Sequence, residues 1–523
     1  MKKIICPQCF AEFDDDKVHF RSERISSPDA EILPEEYDDD IVKFRNSYNG
    51  PDGDEIERRY EANQFFLPQE DDLYESYWNG LEKTEYADSK QNYKPWERKV
   101  IDPSNTEHQR YLEKQEEDFF IRDNEGMVSQ IELKADASLH WMRMRCTRRV
   151  CPKCHNPLPI NYGKYPVKFV SVIGVKGSGK TIYLSQLLNR LSTDLAAQIG
   201  LTALITSPDV IKFIRRNKIE KGLKVPDPTP VKEKQQPLFY QIRRPNLAMR
   251  GKMIEETMVL YDVPGEVFDP ENEGITYFNN YAPYVIKADA YMLLIDPSQA
   301  NCGAEGAAGT ALNAIYNQLG VQEGEICEKP LAICISKSDS EAMSVMMGGN
   351  QTIINMVREP VTASDLQFNA KGYNPIAKEL THFFRTRDAN HFDNFVKNMF
   401  CNYNYFAFSA LDCGVVEEDG EQRVAGRPKP KRIEEPLYWI FKQLGYIGTN
   451  ELIYGDIDNR CPKCDGKDYE IINDTIQNEV ILPKTILGRR IGERRETIQV
   501  QVNRKCLNPE CNYKWNWTGG KQE

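Results

Sequence analysis

Gly174-Val175-Lys176-Gly177-Ser178-Gly179-Lys180-Thr181 has the spacing G-x-x-x-x-G-K-[S/T], the pattern of a loop that cradles phosphates. The glycines let the backbone curl, so that several N–H groups face a β-phosphate beside a helix N-terminus. Lys180 is placed to reach the β- and γ-phosphates, and the Thr181 hydroxyl to ligate Mg²⁺. A glycine-rich turn without a ligand is the plain alternative, and the flanks argue against it. Val167–Ile173 (VKFVSVI) reads as a buried parallel strand, and Ile182–Leu191 carries apolar residues at helical spacing.

Three further elements fall at strand ends, in order. Asp262-Val-Pro-Gly265 is a D-x-x-G element. Its carboxylate would hold Mg²⁺, directly or through water, and the Gly265 N–H would meet a γ-phosphate. Ser336-Lys337-Ser338-Asp339 stands where N-K-x-D or T-K-x-D would stand. A carboxylate at Asp339 accepts from guanine N1–H and its exocyclic amine, a pair adenine does not offer, while the Lys337 stem covers the base plane. Ser409-Ala410 matches an S-A element whose backbone N–H donates to guanine O6.

These four elements together resemble the translation-factor-related (TRAFAC) class of P-loop GTPases over about Lys164–Ile447. With the cysteine knuckles described below, the layout looks like the bacterial zinc-ribbon members of that class, some proposed to act in conflict or anti-phage systems. The resemblance implies a Ras-like core that binds GTP or GDP with Mg²⁺, hydrolyses GTP and signals to a protein partner. It also exposes departures. Ser336 replaces Asn or Thr, which shortens the brace to the P-loop. The switch-I threonine is assigned to Thr229, with Thr206 as rival and an ordinary loop residue as the plain reading. Glu266 stands where a Gln would orient water, which implies slow hydrolysis. Lys176 either supplies charge to the phosphates or simply faces solvent. An ATPase or kinase on the same loop, and a non-hydrolysing scaffold with ribbons that bind protein or nucleic acid, remain the alternative functions.

Eight of the 14 cysteines form four close pairs: Cys6/Cys9, Cys151/Cys154, Cys461/Cys464 and Cys506/Cys511. In a cytosolic chain such pairs are metal knuckles rather than disulfides, since two thiolates on one tight turn aim at one tetrahedral zinc. The first two pairs are roughly 140 residues apart, against the usual 15–20 in a zinc ribbon. They are read as one ribbon interrupted by an insertion, or else as knuckles of two different sites. The last two pairs make a second ribbon, giving about two zinc ions per chain. Cys151-Pro-Lys-Cys154-His155 also fits the haem attachment pattern, but nothing directs export. His155 is therefore expected to be an exposed residue beside the knuckle. Tyr513, Trp515 and Trp517 alternate near four arginines; packing of the ribbon's own core is preferred over stacking on nucleic acid.

The length of 523 residues suggests about three domains. The net charge of −12 argues against a general nucleic-acid coat. Met1-Lys-Lys-Ile-Ile leads into Cys6 without a signal-peptide core, and no apolar run is long enough to span a bilayer, so a soluble cytoplasmic protein is expected. The expected architecture is α/β: a doubly wound, mostly parallel P-loop sheet at 164–447, flanked by two small β zinc ribbons. The first ribbon has halves at 1–21 and 146–163 around an acidic, aromatic-rich insertion at 22–145; the second occupies 448–523. Strands are expected at Leu238–Arg243, Thr257–Tyr261, Ala290–Asp296, Leu331–Ser336 and Tyr405–Ser409, and helices at Pro208–Lys221 and Pro436–Leu444.

Overall fold

The computed structural model describes residues 2–22, 71–78, 99–133, 145–175, 177–227, 236–246, 252–263, 283–299, 306–319, 326–361, 365–386, 390–456, 461, 463, 469–486 and 489–515. Its centre is a seven-stranded sheet. The spatial order is Thr202–Ile205, Leu238–Pro245, Met253–Asp262, Val167–Gly174, Ala290–Ile295, Leu331–Ile335 and Tyr403–Ala407. From Met253–Asp262 onward every pairing is parallel, and only Leu238–Pro245 runs against its neighbours. The three strands after Asp289 are buried along their whole length, as parallel strands covered on both faces must be.

Each face of the sheet has its own core. Val170, Val172, Leu260 and Leu294 point to one side, against Leu184, Leu187 and Leu188 of the Lys180–Arg190 helix and Trp439 of the Glu435–Gln443 helix. Phe169, Ile173, Val259, Tyr261 and Leu293 point to the other. There the cover includes the N-terminal cysteine module: Cys6, Phe10, Cys151 and Tyr162 belong to the same apolar cluster as the strands. Phe10 packs edge-on against Phe169, with ring centroids 5.6 Å apart.

Element positions follow the sequence pattern, with shifts at the ends. The Pro208 helix stops at Arg216 rather than near Lys221, capped at its start by Ser207 Oγ and followed by a chain reversal ending at Gly222. Thr202–Ile205 adds an edge strand beyond the expected set, paired antiparallel with Leu238–Pro245. A hairpin, Val415–Glu418 with Glu421–Val424, is a second addition. Its turn residues Asp419 and Gly420 both have positive φ (54° and 76°), the geometry that Asp-Gly pairs favour. The chain keeps packing on the sheet layer past residue 447. Gly448–Thr449 pairs with Gln367–Phe368, and buried Asp456 accepts from Trp439 Nε1 at 2.8 Å.

The C-terminal part holds a long hairpin. Tyr469–Ile486 pairs antiparallel with Arg489–Cys506, eighteen residues on each side, and Lys514–Trp515 adds a short third strand. Trp515 is buried with Cys461 and Cys506, which is the core-packing role.

Candidate nucleotide site and cysteine clusters

The P-loop lies between the end of the Val167–Gly174 strand and the Lys180–Arg190 helix. A Cβ on Gly174 would collide with Ser178 Oγ, so the loop closes that tightly only on glycine. Gly179 caps the helix in the left-handed conformation (φ 76°). The first-turn N–H groups of that helix have no acceptor within it and face outward with the positive end of its dipole. Ser178 Oγ is buried and has no hydrogen-bond partner among the described residues.

A cavity of about 880 Å³ opens in front of this loop. Gly177, Lys180 and Thr181 line one end, and Lys337, Asp339, Ser409 and Ala410 line the other. Asp262 does not line it but lies beneath it, buried, with Oδ1 3.5 Å from Lys180 Nζ. The strands place these groups: Asp262 ends one, and the Ser336 and Ser409 loops follow two others. All leave the sheet at its C-terminal edge, where open α/β sheets bind ligands.

The end lined by Lys337, Asp339, Ser409 and Ala410 has its own geometry. Lys337, at φ 51°, sends its stem along the P-loop, with Cε 3.9 Å from where a Cβ on Gly179 would lie. Its ammonium ends on Asp296, Nζ to Oδ2 2.7 Å. Burial pushes the Asp296 carboxyl up, but bonds from Lys337 and Ser298 outweigh it and hold it below its ordinary range. Ser336 Oγ donates to the Ile295 carbonyl at 3.1 Å, so its hydroxyl braces the neighbouring strand. The Ser409 N–H donates to the Lys431 carbonyl. Among the described residues, the Ala410 N–H has no protein acceptor. Val225, Pro226, Gln422 and Cys413 complete the wall. The 415–424 hairpin holds that wall in place: Val225 N–H donates to the Gln422 carbonyl at 2.8 Å and Val424 N–H to the Leu223 carbonyl at 3.0 Å. Sequence reasoning missed Asp296 and this hairpin. The Asp419-Gly420 pair was the available signal for the hairpin; Asp296 carried none beyond its place at a strand end.

Lys176, Thr229, Gly265 and Glu266 lie outside the described residues, as does Cys464. Gly174, Val175, Gly177, Ser178, Gly179, Lys180 and Thr181 are brought together with Lys337, Asp339, Ser409 and Ala410.

The Sγ atoms of Cys6, Cys9, Cys151 and Cys154 lie within 4.8 Å of one another. Cys6–Cys154 and Cys9–Cys151 are each 3.7 Å apart. A tetrahedron with metal–sulfur bonds of about 2.3 Å has edges of about 3.8 Å, so the set fits a zinc ion. Backbone N–H groups of Gln8 and Lys153 point at the Cys6 and Cys151 sulfurs, both at 3.4 Å, as on turns that steady thiolates. The two distant knuckles thus form one cluster. Cys461, Cys506 and Cys511 make a second, with Cys461–Cys511 at 3.6 Å. His155 is not exposed. Its Nδ1 lies 2.7 Å from Asp71 Oδ1 and its Nε2 3.4 Å from His19 Nδ1, while Arg21 bonds the other Asp71 oxygen at 2.6 Å. Asp71 comes from the insertion, so this chain ties the insertion to the cysteine module.

Residues 168–381 match a family model described as Double-GTPase 2, which covers less than half of the chain. No curated protein sequence matches. Among solved structures, the Arl6 BBS3 small GTPase of Trypanosoma brucei with bound GppNp is 11% identical, aligned over 54% of this chain and 99% of that one, with a TM-score of 0.22. A GTP-binding protein of Sulfolobus solfataricus in complex with GDP is 15% identical over 53% of each chain, also at a TM-score of 0.22. Likeness at that level decides nothing about this chain. The family match and the built pocket support a P-loop GTPase domain. Among the described residues, no helix is long and apolar enough to cross a membrane.

Proposed function

We propose that the chain is a GTP-binding and GTP-hydrolysing switch whose nucleotide state is read by a protein partner. One observation carries the reading: a single cavity joins the P-loop to Lys337, Asp339 and Ala410. A pocket for any triphosphate needs only the first end. The second end offers a carboxylate, an aliphatic stem and a free backbone donor in the arrangement that guanine matches and adenine does not.

In this reading Lys180 and the P-loop N–H groups hold the β- and γ-phosphates, and Thr181 with Asp262 would hold Mg²⁺, which supplies charge neutralisation between those phosphates. Lys180 Nζ lies 3.5 Å from Asp262 Oδ1, so the phosphate-binding ammonium and the candidate Mg²⁺ carboxylate stand side by side. Asp339 selects the base edge, Lys337 covers its plane, and Ala410 N–H donates to O6. Glu266 is the candidate for positioning water, Thr229 for switch I and Lys176 for added charge. The two cysteine clusters hold about two zinc ions. The chain divides into an interrupted N-terminal zinc module, its insertion, the GTPase domain and a C-terminal zinc module that begins after Asp456.

Competition between nucleotides on the purified full chain tests the reading. GTP and GDP should displace a fluorescent guanine nucleotide at least about 100-fold better than ATP, because a site built to hydrogen-bond one base leaves buried groups unpaired with the other. Equal displacement by ATP would sink the guanine assignment in favour of an ATPase. Tight GTP binding with no phosphate release over hours would leave a non-hydrolysing scaffold.

A further inference from the structure

The N-terminal cysteine cluster touches the chain next to the nucleotide site. Pro7, between Cys6 and Cys9, gives its carbonyl to the buried Tyr261 hydroxyl at 2.7 Å. Tyr261 directly precedes Asp262, and its side chain lies on the opposite face of the strand, in the cluster that holds Cys6 and Phe10. Tyr261 also stacks on Tyr284, with ring centroids 4.5 Å apart and an interplanar angle of 4°. Gln8, the next residue of the knuckle, donates through Nε2 to Gln236 Oε1 at 3.1 Å, two residues before the Leu238–Pro245 strand begins. The four-residue turn that offers two thiolates therefore also bonds to the strand that ends in Asp262 and to the residue that leads into its neighbour.

We propose that metal at Cys6, Cys9, Cys151 and Cys154 and nucleotide in the P-loop cavity are thermodynamically linked through the Pro7–Tyr261 contact, so that each changes the affinity of the other. This inference rests on the guanine-nucleotide reading above. The physical reason is local. A tetrahedral ion fixes the Cys6–Cys9 turn, because two of its four bonds come from that turn. The fixed turn holds the Pro7 carbonyl where a buried hydroxyl needs an acceptor. When the turn loosens, the Tyr261 hydroxyl must find another partner or stay unsatisfied, and the strand end bearing Asp262 shifts to accommodate it. Asp262 is placed to respond to Mg²⁺ and the γ-phosphate, so a ligand that sets its position biases the contact on the other face of the strand. Linkage is reciprocal by thermodynamic necessity.

The test uses the full chain. Zinc affinity is measured by competition with a chromogenic chelator, once with GDP bound and once with GppNHp and Mg²⁺. Guanine-nucleotide affinity is measured on zinc-loaded and chelator-stripped protein, with circular dichroism as the check on folding. The expected result is a difference in zinc affinity of about 5-fold or more between the two nucleotide states, the lower end of typical coupling. Tyr261→Phe, which keeps the ring stack and removes only the hydroxyl, should retain one zinc at this site and bring the difference to within about 2-fold. Equal zinc affinity in both states, or full coupling in Tyr261→Phe, overturns the linkage. If stripping unfolds the chain, the comparison between nucleotide states of the folded protein still decides. Absence of guanine-nucleotide binding by zinc-loaded protein overturns the nucleotide reading and the linkage together; binding indifferent to zinc overturns the linkage alone.

Discussion

Lys337, which lines the cavity, forms an ion pair with Asp296, Nζ to Oδ2 2.7 Å, while its stem runs along the P-loop. Ser336, which stands where a longer amide would stand, turns its hydroxyl to Ile295 instead. The pair and the Ser336 hydroxyl therefore both tie the Ser336–Asp339 loop to the end of the neighbouring Ala290–Ile295 strand. Asp296→Asn should weaken GTP binding by about 2- to 5-fold. The magnitude is small because Lys337 is 47% exposed and solvent screens such pairs. Calorimetric titration with GTP checks it. The pH sign follows from the depressed Asp296 carboxyl: the pair is intact above the ordinary aspartate value of 3.8 and is lost as pH falls through the lower folded value. Acidification from pH 7 to pH 5 should leave this pair's contribution unchanged.

Asp339 lines the cavity, and its backbone carbonyl is anchored by Arg358 Nη2 at 3.3 Å. Asp339→Asn should cost GTP affinity on the order of 100-fold or more and raise affinity for the xanthosine nucleotide, whose base edge offers an acceptor where guanine offers its amine. Titration with both nucleotides reads this directly. An unchanged ratio would remove Asp339 from base recognition.

Metal analysis of the purified chain should give about two zinc ions. Replacing Cys151 with serine should remove one and destabilise the chain. The cluster shares its apolar core with the sheet through Phe10, Phe169 and Tyr261, so the loss should spread to the nucleotide domain. Differential scanning calorimetry should show a lowered transition for the whole nucleotide domain rather than a separate early melt of the N-terminal module.

His19 is pinned between Asp102 and His155, and burial is the main reason its pKa falls to about 4; the nearby Asp102 opposes the shift. The folded state thus favours the neutral ring. Its contribution is complete above the unfolded value of 6.5 and is lost as pH falls toward 4, with an upper bound of about 3 kcal/mol. His19→Gln should flatten the decline in melting temperature between pH 7 and pH 5 relative to the parent chain. Parallel curves would show that His19 does not drive that decline.

The nucleotide loop was legible because its chemistry is local. Gly174 to Thr181 are contiguous, and their residue types are required by a turn that closes only on glycine. Asp262, Lys337–Asp339 and Ser409–Ala410 were legible for a related reason: each follows a short apolar run that reads as a buried strand, and parallel strands deliver their ends to one edge. The Cys6/Cys9 and Cys151/Cys154 pairs were visible as knuckles, and their union was the preferred reading over two separate sites, but nothing in the spacing says which distant turns meet. Tertiary packing decided it by bringing four sulfurs to tetrahedral separations.

Other features came only from the fold. Asp296 is an ordinary aspartate after a strand until Lys337 arrives from a loop 41 positions away. His155 looks like an exposed neighbour of the knuckle until Asp71 and His19 enclose it. Tyr261 reads as one more apolar strand residue, yet its hydroxyl meets a carbonyl 254 positions distant. The sequence by itself determined the candidate groups for phosphate, base and metal, because those depend on residue type and short spacing. Tertiary structure alone decided which groups brace them, because long-range contacts are selected by the packing of two sheet faces and leave no periodic trace along the chain.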